Sequence, residues 1–173
     1  DYGASKFADA NSFAVYDVDN DGREELLFCW PQDIMAAIKT YVWEYRDGVL
    51  YEELVTFPEG LIFYDNGVVH VDWSHNQGSR TSESFWPYAL NTYDPEADIY
   101  KDTESVNARD VNSHYADDFP TNIDQDGDGI VYFLRRAGED WYDYDEYGNC
   151  IEKPPVDGPV YEAWRDSILP NGQ

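Results

Sequence analysis

The segment Phe13-Ala-Val-Tyr-Asp-Val-Asp-Asn-Asp-Gly-Arg-Glu-Glu-Leu-Leu-Phe28 places an acidic loop between two apolar stretches. Aspartates stand at loop positions 1, 3 and 5, and glycine at position 6 permits a sharp bend. Carboxylates with this spacing converge on one side of the turn and can form an oxygen cage for Ca²⁺. The sequence therefore predicts a calcium site whose ligands are Asp17, Asp19, Asp21, Glu25 and the backbone carbonyl of Arg23.

The residue that completes the cage distinguishes this loop from an EF-hand. An EF-hand loop carries glutamate at position 12, whereas Phe28 stands there in this chain. The acid at position 9, Glu25, fits loops that join two β-strands, and the flanking residues 13–16 and 26–28 are typical of strands. We therefore expect a strand–loop–strand calcium site.

A second acidic loop, Asp124-Gln-Asp-Gly-Asp-Gly-Ile130, repeats the spacing of the first. Tyr132 occupies the position that corresponds to Glu25, so we expect a weaker site, or one closed by a residue distant in sequence. The alternative is a solvated turn without an ion. The sequence thus predicts one or two Ca²⁺ sites, and the ligands predicted for the second are Asp124, Asp126, Asp128 and the carbonyl of Ile130.

Hairpin patterns dominate the rest of the chain. In residues 41–54 and 61–73, stretches rich in β-branched and aromatic residues flank Asp47-Gly48 and Asn66-Gly67, and both dipeptides are strong hairpin signals. A third hairpin is expected in residues 141–151. The further strand candidates are residues 13–16, 25–30, 84–90 and 130–135.

Helical patterns are few. Asp157-Gly158-Pro159 precedes a segment that spaces Val160, Trp164 and Ile168 along one face, which predicts a short C-terminal helix. Residues 104–115 are a weaker helix candidate, and residues 32–39 are ambiguous. We expect a mainly β (α+β) fold of antiparallel hairpins with the C-terminal helix and one or two other short helices, and not a complete propeller. The chain is expected to be one domain, residues 1–173, which can comprise two degenerate halves (about residues 11–60 and 118–155) that each start with an acidic loop.

The charge of the chain restricts its partners. Of its 173 residues, 36 are acidic and 11 are basic, which gives a formal net charge of −25. Nucleic acid requires a basic protein surface, and an anionic membrane repels an acidic one, so both are excluded as partners. No apolar run approaches the about 18 residues that span a bilayer. Strong acidity is compatible with divalent cations, cationic partners or a high-salt habitat.

The acidic segment resembles the "alanine-leucine-tyrosine, Asp-x-Asp-x-Asp-Gly-x-x-Glu-Leu" segment of an uncharacterised group of secreted proteins and lipoproteins of Firmicutes, especially gut anaerobes. The loop itself is similar to the calcium loops of FG-GAP and VCBS β-propeller repeats, and this implies Asp17, Asp19, Asp21 and Glu25 as ligands. The likeness to the Firmicutes group extends through Asn66-Gly67, Phe85-Trp-Pro-Tyr88, residues 124–132 and residues 161–164. It implies an extracellular or cell-surface location, by secretion or through a lipid anchor in the full-length precursor, and no known reaction.

Tyrosine and tryptophan are abundant, and their apolar rings with polar tips serve at both sugar and protein surfaces. We expect a monomeric binding module that structural Ca²⁺ stabilises and whose ligand is a glycan or a protein; no catalytic residue is assigned. One alternative is a hydrolytic, glycoside-active enzyme with an acidic aromatic cleft, and another is a halophilic protein whose acids hold hydrated cations. The candidate ligand-binding residues are Trp73, Trp86, Tyr88, Trp141, Tyr142 and Tyr144.

Overall fold

The computed structural model describes residues 12–30, 39–56, 60–73, 82, 84–112, 119–120 and 122–170. The chain divides into two compact units, Asp1–His75 with Asn91–Asp102 and Asn76–Leu90 with Thr103–Gln173. The described residues contain eleven strands and one helix, so the predicted mainly β fold is confirmed. No helix in these residues has the length and apolar character that crossing a bilayer requires.

Four antiparallel strands form a sheet in the first unit: β1 (Ser12–Tyr16), β2 (Glu25–Trp30), β3 (Lys39–Arg46) and β4 (Val49–Thr56), in that order. The first acidic loop joins β1 to β2, and Tyr16 lies opposite Glu25 in the register. The predicted strand–loop–strand arrangement is therefore present. Asp47 and Gly48 form the β3–β4 turn with φ values of 48° and 85°. Positive φ at both positions of a two-residue turn matches the right-handed twist of the flanking strands.

The five-stranded sheet has the order β5 (Leu61–Phe63), β6 (Val68–Asp72), β7 (Tyr88–Asp94), β8 (Ile99–Asp110) and β9 (Ile130–Arg135). The boundary between the two units passes through β7 and β8. The predicted hairpin around Asn66-Gly67 joins β5 to β6. A separate two-stranded ribbon of β10 (Asp143–Tyr144) and β11 (Cys150–Ile151) corresponds to the third predicted hairpin.

One face of the four-stranded sheet, which we call the inner face, packs into the apolar core of the first unit. The register aligns Leu27, Val42 and Leu54 on this face. It also aligns Glu25 with Glu44, so the inner face carries acids as well as apolar residues. The other residues of this core are Val18, Val69, Val71 and Tyr100, with Leu61, Phe63 and Tyr93 packed against them.

The single helix of the described residues, α1 (Gly158–Ile168), contributes to the second unit. Its buried aromatic residues are Tyr161 and Trp164. Tyr161 stacks on Tyr132 of β9, with ring centroids 4.3 Å apart and planes within 6° of parallel. The predicted C-terminal helix is confirmed, although Val160, which was expected on its apolar face, is exposed.

The weaker helix candidate at residues 104–115 is wrong for its described N-terminal part, since residues 104–110 belong to β8. Val106 and Ala108 point to the same buried side and lie opposite Leu134 and Tyr132 of β9. A period of two residues, completed by a partner strand distant in sequence, therefore determines the structure of this segment.

One predicted strand starts later than expected, and one ambiguous segment lies mostly outside the described residues. The strand expected at residues 84–90 begins only at Tyr88, because Pro87 has no N–H to donate to a neighbouring strand. Most of the ambiguous segment 32–39 lies outside the described residues, and its last residue, Lys39, is the first residue of β3.

Candidate metal centre

Hydrogen bonds from the backbone shape the first acidic loop. The N–H of Gly22 donates to Asp17 Oδ2 at 3.1 Å, and the N–H of Asp21 donates to Asp19 Oδ1 at 3.0 Å. The N–H of Arg23 donates to Asp21 Oδ1 at 2.8 Å. Gly22 has a φ of 93°, in the left-handed region that glycine adopts without strain. One oxygen of each aspartate is thus fixed by the loop's own backbone.

The loop brings three predicted ligands together. One carboxylate oxygen each from Asp17, Asp19 and Glu25 lie within 4.8 Å of one another. The atoms Asp17 Oδ1, Asp19 Oδ2 and Glu25 Oε1 are buried and accept no hydrogen bond. A buried carboxylate oxygen without a partner is costly. Three such oxygens in one cluster therefore form a site that a cation would stabilise.

Glu25 is the most deeply placed of these ligands. Its side chain has no exposed surface, and its Oε2 accepts the N–H of Val18 at 2.7 Å. Burial raises the pKa of Glu25 to about 7, and the negative charges of Asp19 and Asp17 act in the same direction while the bond from Val18 opposes it. A bound cation would reverse this, because an adjacent positive charge favours the ionised carboxylate.

Asp21, the fourth predicted ligand, lies at the exposed side of the loop. It forms an ion pair with Arg23, whose guanidinium also contacts Glu44. Asp21 has an oxygen within 4.8 Å of oxygens of Asp19 and Asp98. Asp21 therefore belongs to a neighbouring group of acids. The backbone carbonyl of Arg23 stays a predicted ligand.

A third group of acids in the first unit was not predicted from the sequence. It comprises Glu44, Glu53 and Asp98, whose oxygens lie within 4.8 Å of one another. Glu44 and Glu53 lie on the inner face with exposed fractions of 1% and 3%. Asp98 lies in the segment between β7 and β8 with a φ of 58°. We call these three residues the sheet cluster.

Only part of the sheet cluster had a signal in the sequence. Glu44 follows Val42 by two residues, so strand alternation places it on the buried side. Glu53 is turned inward beside Leu54 because the register shifts at the Val42/Trp43 step, which leaves Glu53 as the extra residue of a β-bulge. No pattern in the sequence indicates this bulge.

The second acidic loop repeats the hydrogen bonds of the first. The N–H of Gly129 donates to Asp124 Oδ2 at 3.1 Å, and the N–H of Asp128 donates to Asp126 Oδ1 at 3.1 Å. The N–H of Ile130 donates to Asp128 Oδ1 at 2.7 Å. Oxygens of the three aspartates converge within 4.8 Å, but Asp126 and Asp128 are exposed. The geometry matches that of the first loop, whereas the burial does not.

A residue distant in sequence, Asp157, holds the second loop. Its Oδ2 accepts the N–H of Gln125 at 2.9 Å, and its Oδ1 accepts the N–H of Gly158 at 3.0 Å as the N-cap of α1. Gly158 lies so close to the loop that a Cβ there would collide with Asp126 Oδ2. The first residue of α1 therefore fixes the space that the Asp126 carboxylate occupies.

The predicted ligand-binding aromatic residues have different environments. Tyr88 is buried and stacks with Trp164, so it contributes to packing. Trp73 is half-buried, and the guanidinium of Arg135 lies 4.8 Å from the ring centre of Trp141. The exposed members of the set are Trp86, Trp141, Tyr142 and Tyr144.

A larger aromatic surface, which was not predicted from the sequence, covers the opposite face of the four-stranded sheet. The register aligns Phe28 with Tyr41 and Leu26 with Trp43 on this side. Trp43 stacks with Tyr41 at 4.8 Å and with Phe28 at 6.1 Å between ring centroids. Around this stack, six large apolar side chains expose between 45% and 73% of their surface: Phe13, Val15, Trp30, Tyr45, Leu50 and Val55. We call this surface the outer aromatic face.

Comparison of the chain with known protein families, with curated proteins and with solved structures finds no match. The resemblance to Firmicutes secreted proteins therefore stays a prediction.

Gly158→Ala tests the contact between α1 and the second loop. We expect cation affinity at this loop to fall about tenfold, because the added Cβ displaces the Asp126 carboxylate from its position. Titration with Ca²⁺ followed by calorimetry measures the change, and Val160→Ala, at an exposed position of the same helix, is the control. Equal affinities in the two variants would contradict the contact's role.

The buried glutamates predict a pH dependence of stability in the presence of a chelator. Burial, together with the nearby charges of Glu25 and Asp19, raises the pKa of Glu53 to about 8. The folded state therefore keeps a proton that the unfolded state releases near pH 4.5, so the free energy of unfolding should fall as pH rises from about 5 to about 8. Glu139, whose pKa the N–H of Arg136 lowers, affects stability at more acidic pH.

Urea unfolding at pH 5, 6.5 and 8 in a chelator measures this dependence. Glu53→Gln should flatten the profile, because the amide does not ionise. A free energy of unfolding that rises through this window in the wild-type chain, or an identical profile for the variant, would show that Glu53 titrates normally.

Proposed function

We propose that this chain is an extracellular or cell-surface binding module, which Ca²⁺ stabilises at the first acidic loop and which contacts a protein partner through its outer aromatic face. The observation that carries the proposal is the cluster of buried, unpaired oxygens from Asp17, Asp19 and Glu25. The role of the ion is structural, because its ligands join the end of β1 to the start of β2.

The donor set favours Ca²⁺ over other cations. All convergent atoms are carboxylate oxygens on a loop, which suits a hard cation that accepts six to eight oxygen ligands in flexible geometry. The thiolate and imidazole ligands that transition metals prefer are not part of these groups. If the chain lies outside the cell, we expect a dissociation constant of about 10⁻⁴ to 10⁻³ M, as is typical of extracellular calcium modules.

The ring arrangement on the outer aromatic face favours a protein partner over a glycan. Sugars stack against the open face of an aromatic ring, but Trp43 shares its ring faces with Tyr41 and Phe28. The Trp43 ring is therefore less open to a sugar. The exposed aliphatic side chains of Val15, Leu50 and Val55 suit a protein surface. A contiguous exposed apolar surface of this kind is typical of protein–protein interaction sites.

The hydrolytic alternative has less support. Glu25 and Glu53 have the raised pKa that a catalytic acid requires. However, burial is the main cause in both, and their exposed fractions of 0% and 3% keep a polymeric substrate from reaching them. These carboxylates are therefore better suited to bind a cation than to act on a substrate.

A melting experiment tests the calcium part of the proposal. Ca²⁺ at a hundredfold excess over its Kd should stabilise the folded state by about 2.7 kcal/mol, and Asp19→Asn should remove most of that gain. Asp65→Asn, at an exposed turn of the same unit, is the matched control. An unchanged midpoint with Ca²⁺ would refute the proposal. An equal rise in monovalent salt would also refute it and would favour the halophilic alternative.

Site-specific crosslinking tests the partner part. A photoreactive phenylalanine at position 45, on the outer aromatic face, should crosslink to a protein of the native cell envelope, and Trp30→Asp should abolish the crosslink. The same probe at position 147, which is 82% exposed and lies on the other unit, should not give it. Equal products from both positions would contradict a specific interface. Binding to a glycan array that is lost in Trp30→Asp would identify the ligand as a glycan instead.

A further inference from the structure

The sheet cluster lies in the first unit but outside the loop to which the sequence assigns a metal. Its members come from three elements: Glu44 from β3, Glu53 from the bulge of β4, and Asp98 from the β7–β8 connection. Their oxygens lie within 4.8 Å of one another. Three carboxylates at one point are unfavourable unless positive charge is present, and the two arginines that contact the cluster supply only part of that charge.

An unpaired, buried oxygen of Glu53 is the second, independent observation. Glu53 Oε2 is buried and has no hydrogen-bond partner, in a residue that exposes only 3% of its surface. Both oxygens of Glu44 and Asp98 Oδ2 are also buried, and arginine side chains contact them. The hydroxyl of Tyr93 donates to Asp98 Oδ1 at 2.6 Å, so it orients that carboxylate.

Two arginines reach the edge of the sheet cluster. Arg46 lies 2.9 Å from Glu44 Oε2 and also contacts Asp98, while Arg23 contacts Glu44. These are contacts between charges that lack hydrogen-bond geometry. Because a carboxylate oxygen has two lone pairs, Glu44 and Asp98 can keep these contacts and still coordinate an ion.

The first acidic loop and the sheet cluster together form one acidic region, and its charge indicates how many ions it binds. Its seven carboxylates are Asp17, Asp19, Asp21, Glu25, Glu44, Glu53 and Asp98. With Arg23 and Arg46 they give a formal charge of minus five. One divalent cation leaves minus three, whereas two leave minus one. The group formed by Asp19, Asp21 and Asp98 connects the loop to the sheet cluster, so the two ions would be neighbours.

We propose that Glu44, Glu53 and Asp98 bind a second divalent cation, Ca²⁺, beside the one at the first loop. The proposal rests on the proposed function only for the identity of the ion. The cation would neutralise the acids of the inner face and would connect β3 and β4 to the β7–β8 connection. Protonation of the glutamates is the competing way to neutralise them, and the experiment separates the two.

Native mass spectrometry at pH 7.5 with Ca²⁺ as the probe counts the ions in four forms: wild type, Glu53→Gln, Asp17→Asn and the double variant. Glu53→Gln and Asp17→Asn should each bind one ion fewer than wild type, and the double variant two fewer. The second acidic loop is unchanged in every form, so the differences count only ions of the first unit. Glu52→Gln, at the exposed neighbouring position of β4, is the control and should bind as many ions as wild type.

Each other outcome has a distinct meaning. A wild-type count in Glu53→Gln would overturn the second site in favour of protonation, and a double variant that loses only one ion would show a single shared ion. A chain that binds no Ca²⁺ in any form would overturn the proposed function itself. Misfolding does not obscure the result, because Glu53→Gln places a neutral side chain of similar size at this buried position, and its melting temperature in a chelator should be close to that of wild type.

Discussion

The first unit depends on how it neutralises the carboxylates that its folding buries. Glu25, Glu44 and Glu53 lie on the inner face of the four-stranded sheet, beside the apolar side chains of Leu27, Val42 and Leu54. Removing ionised carboxylates from water costs several kcal/mol each unless protons, cations or hydrogen bonds compensate. Two arginines offset part of this charge. Under the proposed function, the remainder makes the stability of the unit depend on pH and on divalent cations.

The two acidic loops share one backbone arrangement but differ in how deeply their carboxylates are buried. The same three N–H to aspartate bonds occur in each, with a glycine at positive φ at Gly22 and Gly129. The strands that the loops lead into are different. After the first loop Glu25 brings a carboxylate into the protein interior, whereas after the second Tyr132 stands there, and its ring stacks on α1. The local motif therefore determines the shape of a loop, and the next strand determines how far its carboxylates are shielded from water.

Local sequence patterns were sufficient for much of this structure. The Asp47-Gly48 and Asn66-Gly67 hairpins, the strand–loop–strand arrangement and α1 depend on interactions between near neighbours in the chain. The sequence did not predict β8, because the strand conformation of this segment depends on pairing with β9, which is distant in sequence. The sheet cluster could not be predicted from the sequence for the same reason. Asp98 meets Glu44 and Glu53 only after distant segments pack, and the bulge that turns Glu53 inward has no residue signature.

The alternation of side chains along β3 connects the two surfaces of the four-stranded sheet. Glu44 points to the acids of the inner face, while its neighbours Trp43 and Tyr45 belong to the outer aromatic face. An ion that restricts the backbone at Glu44 also restricts both neighbours. Cation and partner would then be thermodynamically linked, so each would increase the affinity of the other by the same factor. A partner bound outside the cell would retain calcium in the module, and a fall in calcium would release the partner without any direct contact between ion and interface.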